Sequence, residues 1–207
     1  MHTSPSRFGT ALFFATSLML HAGPQPGAVN AVHGYLVANQ LDARWQGEPT
    51  PLESAELRAA YPDRQFYFTF KAPPPPPGAP MPDVLARHAQ AMNEYRKNSL
   101  RLTVAVDAAQ TVAAMEKAGD FNQGLQPITT DAEARNAAAA ILSLINTETA
   151  RPGVIHASEV TVTRAAEGWT CVVNQQPKGI AGTVVFDSAG KCVSATKQLN
   201  YQPPVPS

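Results

Sequence analysis

Residues 130–148 read TDAEARNAAAAILSLINTE. Thr130 and Glu133 stand three positions apart ahead of an apolar run. That is the pattern of a capping box, in which a hydroxyl and a carboxylate satisfy the free N–H groups of a helix start. The spacing predicts a helix from Thr130 to about Glu148. Ile141, Leu144 and Ile145 form its apolar stripe. The Ala137–Ala140 block is small enough to let the helix lie close against a sheet. Pro152-Gly153 ends the connection that follows.

Downstream, the chain reads as short strands. Val160 and Val162 alternate with Thr161 and Thr163. Trp169–Asn174, Thr183–Asp187 and Cys192–Leu199 follow, separated by turn residues. This predicts an antiparallel meander of three to four strands with the preceding helix laid on one face. Trp169, Cys171 and Val173 form the inward set. Val193, Ala195 and Leu199 do so on the last strand, which turns Cys192 outward. In a sequential meander Cys171 and Cys192 stand two strand spacings apart, about 10 Å. A disulfide needs Cα atoms within about 7 Å. In an exported chain a cysteine pair is nevertheless expected to form a disulfide. The bond then asks for a non-sequential strand order, or for Cys192 in the turn. Two unpaired thiols are the remaining alternative.

Upstream, the chain divides at prolines. Residues 32–71 form an N-terminal segment. Thr50-Pro51-Leu52-Glu53 reads as a helix start, giving a helix over 51–61 that stops before Pro62. Residues 64–71 alternate as a strand, with Phe66, Phe68 and Phe70 on one side and Gln65, Tyr67, Thr69 and Lys71 on the other. Residues 72–82 hold seven prolines, five of them consecutive, and read as a stiff spacer. The main α+β domain is expected over 83–201. Asp83 opens a helix to about Lys97. Leu100, Leu102, Val104 and Val106 alternate as a strand, and Asp107 caps a further helix ending at Gly119. The rival reading is one long helix over 83–118. Residues 202–207 are a Pro-rich tail.

The first 31 residues read as a secretory leader. Arg7 is the cationic start, and Phe8–Leu20 is the apolar stretch. That stretch falls short of the ~20 residues a membrane-spanning helix needs. Cleavage is expected after Ala31, with Ala22 and Ala28 as rival sites. Export to the periplasm or the medium follows, with no integral membrane segment after cleavage. Of the 207 residues, Lys and Arg number 16, as do Asp and Glu. Losing Arg7 leaves the mature chain at net −1. Such a balance offers no basic patch for nucleic acid.

The chemistry is sparse. His33, His88 and His156 are the histidines beyond the leader, and none is at metal-ligand spacing from another. No metal or cofactor is expected. Gly-x-Ser-x-Gly, Gly-x-x-x-x-Gly-Lys and Gly-x-Gly-x-x-Gly motifs are missing. His156 with Glu159 is the best acid/base pair, but period two on a strand puts the two side chains on opposite faces. The helix and meander of Thr130–Leu199 resemble cystatin-like and PepSY-like folds, a resemblance of architecture that implies peptide binding or protease inhibition. No Gln-x-Val-x-Gly loop accompanies it. Trp169-Thr170-Cys171 with Cys192 resembles the C-terminal disulfide loop of type IV pilin-like proteins, which implies an envelope subunit. Arg7-Phe8-Gly9-Thr10 departs from a prepilin cleavage site, and no Glu follows at the fifth position. The sequence thus leads to an exported, non-catalytic module that binds a protein or peptide. Tyr67, Tyr95 and Tyr201 are its expected contact surface. A small hydrolase is the rival.

Overall fold

A computed structural model describes residues 26–39, 48–71, 100–145, 154–175 and 180–199. Two four-stranded antiparallel sheets organise them. The first is built from β1 (Thr50–Leu52), β2 (Arg64–Lys71), β3 (Leu100–Asp107) and β4 (Val112–Ala114), in that order. The second follows the same plan with β5 (Val160–Ala165), β6 (Gly168–Gln175), β7 (Ile180–Asp187) and β8 (Cys192–Leu199). Helices α1 (Pro26–Ala38) and α4 (Asp131–Ile145) each precede one sheet and pack on it. Two short helices, α2 (Ala55–Ala60) and α3 (Ala118–Phe121), complete the described set.

This corrects the expected arrangement. The α+β class stands only roughly, because there are two sheets and not a single C-terminal meander. Strand β2 pairs with β3 in full register, from Arg64 opposite Asp107 to Lys71 opposite Leu100. The segment before the prolines therefore shares a sheet with the chain after them.

The layers are α1, first sheet, α4 with α2, second sheet. Ala28, Val32 and Leu36 of α1 pack on Tyr67, Leu102, Val104 and Val106. The opposite face of the same sheet sends Phe66, Phe68 and Ala105 into a second cluster with α2 and α4. Tyr67 is thus 1% exposed, its hydroxyl bonded to Gln65 Oε1 at 3.0 Å. Strand β2 is buried on both faces where alternation predicted one. The cover for its second face comes from residues that the leader boundary at Ala31 partly set aside.

Helix α4 forms where its capping box predicts. Glu133 N donates to Thr130 Oγ1 at 3.2 Å, and Glu133 Oε2 accepts from Thr130 N at 2.9 Å. Ala137–Ala140 are buried between the two sheets. At Gly182 on β7, an added Cβ would lie 2.5 Å from Leu142 Cδ2 of α4. The missing side chain sets that close approach.

Three local readings change. Thr50–Leu52 form an edge strand, because Thr50 lies opposite Phe68 and Leu52 opposite Phe66. An edge tolerates Pro51. The helix start moves to Ser54, whose Oγ accepts from Leu57 N at 3.0 Å. Asp107 closes a hairpin into β4 where a helix cap was expected: its Oδ1 accepts from Ala109 N at 2.9 Å and Thr111 N at 2.8 Å. The expected strand over 100–107 is present, so the single long helix is overturned. The helix expected over Asp83–Lys97 lies outside the described residues. Where β8 pairs with β7, a register shift between Val185 and Phe186 leaves Cys192 buried and Val193 exposed.

Candidate functional site

The site residues singled out by sequence are scattered. Tyr67 is buried, while Tyr95, Tyr201 and His88 lie outside the described residues. His33 makes an exposed pair with Glu48 at 3.0 Å.

Cys171 and Cys192, the expected disulfide pair, are both buried and are not bonded to each other here. Cys171 lies opposite Val184 on β7, and Cys192 opposite Phe186, two residues along. Two strand spacings across and two residues along put the Cα atoms about 12 Å apart. That exceeds disulfide reach. Burial pushes the Cys171 thiol up to about 12 and the Cys192 thiol up to about 11. Neither is a thiolate at neutral pH, so neither is an activated nucleophile.

His156 and Glu159 are brought together, but not to share a proton. Glu159 Oε2 accepts from the backbone N of His156 at 2.8 Å, across the 3-10 turn Ala157–Glu159. The imidazole finds a different carboxylate. Glu56 Oε1, on α2, lies 3.4 Å from His156 Nδ1 and accepts from Ala157 N at 3.1 Å. A carboxylate only accepts, so Nδ1 carries the proton in this contact. Burial opposes the charge on Glu56. The N–H groups of Glu56 and Ala157, the Ser54 hydroxyl and His156 outweigh it, so the carboxyl lies below its ordinary range.

The arrangement is a clasp, joining α2 beside the first sheet to the lead-in of the second. Its imidazole is 63% exposed. Among the described residues no hydroxyl or thiol bonds to it, as a hydrolytic dyad's nucleophile would. Sequence reasoning missed Glu56 because its partners lie a hundred residues away. Pattern within α2 carries no signal for it.

A cleft of about 400 Å³ opens where α2 meets the first turns of α4. Ala60, Ile128 and Ala137 form its floor, with Glu133 and Asn136 on its rim. The Glu133 carboxyl is held down at about 2, chiefly by the N–H and hydroxyl of Thr129 and the N–H of Thr130.

The outer face of the second sheet carries no helix among the described residues. One row runs Thr161, Val172, Thr183, Thr196, and the next runs Thr163, Thr170, Val185, Ser194. None of the eight is ionisable. Val172 is 39% exposed, and Val193, at the irregularity, is 54% exposed.

Among the described residues, no group of three or more His, Cys, Asp or Glu could hold a metal ion. No described helix is long and apolar enough to cross a membrane. No family model, curated protein or solved structure matches the chain.

Proposed function

We propose that this chain is an exported, non-catalytic module that binds a protein or peptide through the outer face of the second sheet. The carrying observation is that face itself. Among the described residues, the first sheet has helices on both sides, whereas the second has α4 on one side only. What it leaves open is a plane of hydroxyls around Val172 and Val185. Uncharged cores with hydroxyl and aliphatic groups suit protein contact, since charged side chains are depleted at interface centres. Export rests on the leader, read from its cationic start and short apolar stretch.

The test compares selection from a displayed peptide library by the wild type and by Val172→Asp. Circular dichroism serves as the fold check. Peptides enriched on the wild type and lost on the variant support the reading. Equal enrichment on both overturns it.

A further inference from the structure

We infer that the leader is removed after Ala22, not after Ala28 or Ala31, so that the mature protein begins at Gly23. The inference rests on the export reading and adds the processing site to it. All three positions offer an alanine at the residue before the cut, which signal peptidases favour. Sequence alone favours the cut after Ala31, where Val29 stands three residues before it, and leaves Ala22, with Leu20 at that place, and Ala28 as rivals.

The fold separates them. Helix α1 spans Pro26–Ala38, so cuts after Ala28 or Ala31 fall inside it. Ala28, Val32 and Leu36 are its buried stripe, at the i, i+4, i+8 spacing of one helix face. Val29, Ala31 and Tyr35 pack around that stripe. Below them lie Tyr67, Leu102, Val104 and Val106, the second face of the first sheet.

Cutting after Ala31 removes Ala28 from this cluster and leaves only residues 32–38 of the helix. A helix of two turns holds poorly, because nucleation is costly and few bonds follow it. The same cut places a new ammonium on Val32, whose residue is fully buried. A buried charge without a partner is strongly unfavourable. Cutting after Ala28 deletes the first anchor of the stripe and puts the ammonium one turn from Val32. Cutting after Ala22 leaves Pro26–Ala38 whole. Ala22 lies outside the described residues, and what separates the three cuts is how much of α1 each one keeps. The product also keeps Pro26 at the first position of α1, where proline is tolerated.

Two measurements test this. The full precursor is expressed in an exporting host, and the exported protein is analysed by intact mass and N-terminal sequencing. The expected product starts at Gly23. A start at Val29 or Val32 overturns the inference and leaves export standing. Precursor retained uncut in the cytoplasm overturns both. In parallel, chains 23–207 and 32–207 are compared in thermal unfolding. The shorter chain is expected to melt lower, on the order of 10 °C for a domain of this size. It should also bind an apolar dye through the uncovered Tyr67 face. Identical melting and no dye binding would remove the physical basis of the inference, whatever the mass shows.

Discussion

Asp107 and Asp187 close the same turn in the two sheets. Each ends the third strand of its sheet. Asp107 Oδ1 accepts from Ala109 N and Thr111 N at 2.9 and 2.8 Å, and Asp187 Oδ1 from Ala189 N and Lys191 N at 2.9 Å each. Their carbonyls accept from Gln110 N at 3.0 Å and Gly190 N at 2.9 Å. The residue that turns the chain has φ 63° at Gln110 and 75° at Gly190. Together with the shared plan of helix then meander, this turn makes the two halves structural counterparts.

The counterparts differ in how well the turning residue suits its backbone. Left-handed φ disfavours a residue with a Cβ and costs glycine nothing. Gln110→Gly is expected to stabilise the fold by about 1 kcal/mol. At Gly190 an added Cβ would also meet Ile128 O at 2.8 Å. Gly190→Ala is therefore expected to destabilise by about 2–3 kcal/mol, strain and clash together. Urea midpoints of both variants check this. Destabilisation by Gln110→Gly would show that the Gln110 side chain, which lies against Gly27 of α1, matters more than its backbone.

The thiols give a second expectation. With β7 between them, Cys171 and Cys192 do not oxidise to each other in the native state. A thiol reagent should react slowly with the folded protein, because burial keeps both groups protonated. It should count two thiols per chain in denaturant, even for protein purified without reductant. A count of zero would establish a disulfide and a strand order different from this one.

Glu56 makes stability depend on pH. Its carboxyl lies below the ordinary 4.5 in the folded chain. The unfolded chain therefore binds a proton more readily, and stability rises with pH through that range. The contribution is complete above about pH 4.5 and fades as pH falls through the folded value. Glu56→Ala leaves Ala157 N without its acceptor and should cost about 1–3 kcal/mol at neutral pH. The gap between wild type and variant should narrow toward pH 3 in parallel urea titrations. A gap constant from pH 7 to 3 would show that the lost contact is packing and not charge.

What the sequence disclosed follows from range. The capping box of α4 and the strands over 64–71 and 100–107 were legible, because partners three residues apart and period two are local. Thr50 misled because strand pairing with Phe68, eighteen residues away, overrode a plausible cap. Asp107 misled for a related reason. A carboxylate that accepts N–H groups two and four residues ahead caps a turn as readily as a helix. Tyr67 needed α1, whose first turns sit inside the stretch read as leader. The pairing of Glu56 with His156 and Ala157 has no local trace at all.

The contact between Gly182 and Leu142 offers the sharpest test of the layered packing. Gly182→Ala places a methyl 2.5 Å from Leu142 Cδ2 and 3.2 Å from Thr196 O. The backbone oxygen can adjust by a few tenths of an ångström, whereas the leucine must move. Leu142 is 4% exposed and packed in the core, so it has little room. Overpacking of this kind costs about 1–3 kcal/mol. Leu142→Ala alone leaves a cavity and should cost about 2–5 kcal/mol. Combined, the two changes fill and vacate the same space, so the double variant should be less destabilised than the sum by about 1 kcal/mol or more. Equilibrium unfolding of all four proteins closes the cycle. Strict additivity would mean that α4 does not rest on β7 at this point, and the order of layers through the molecule would have to change.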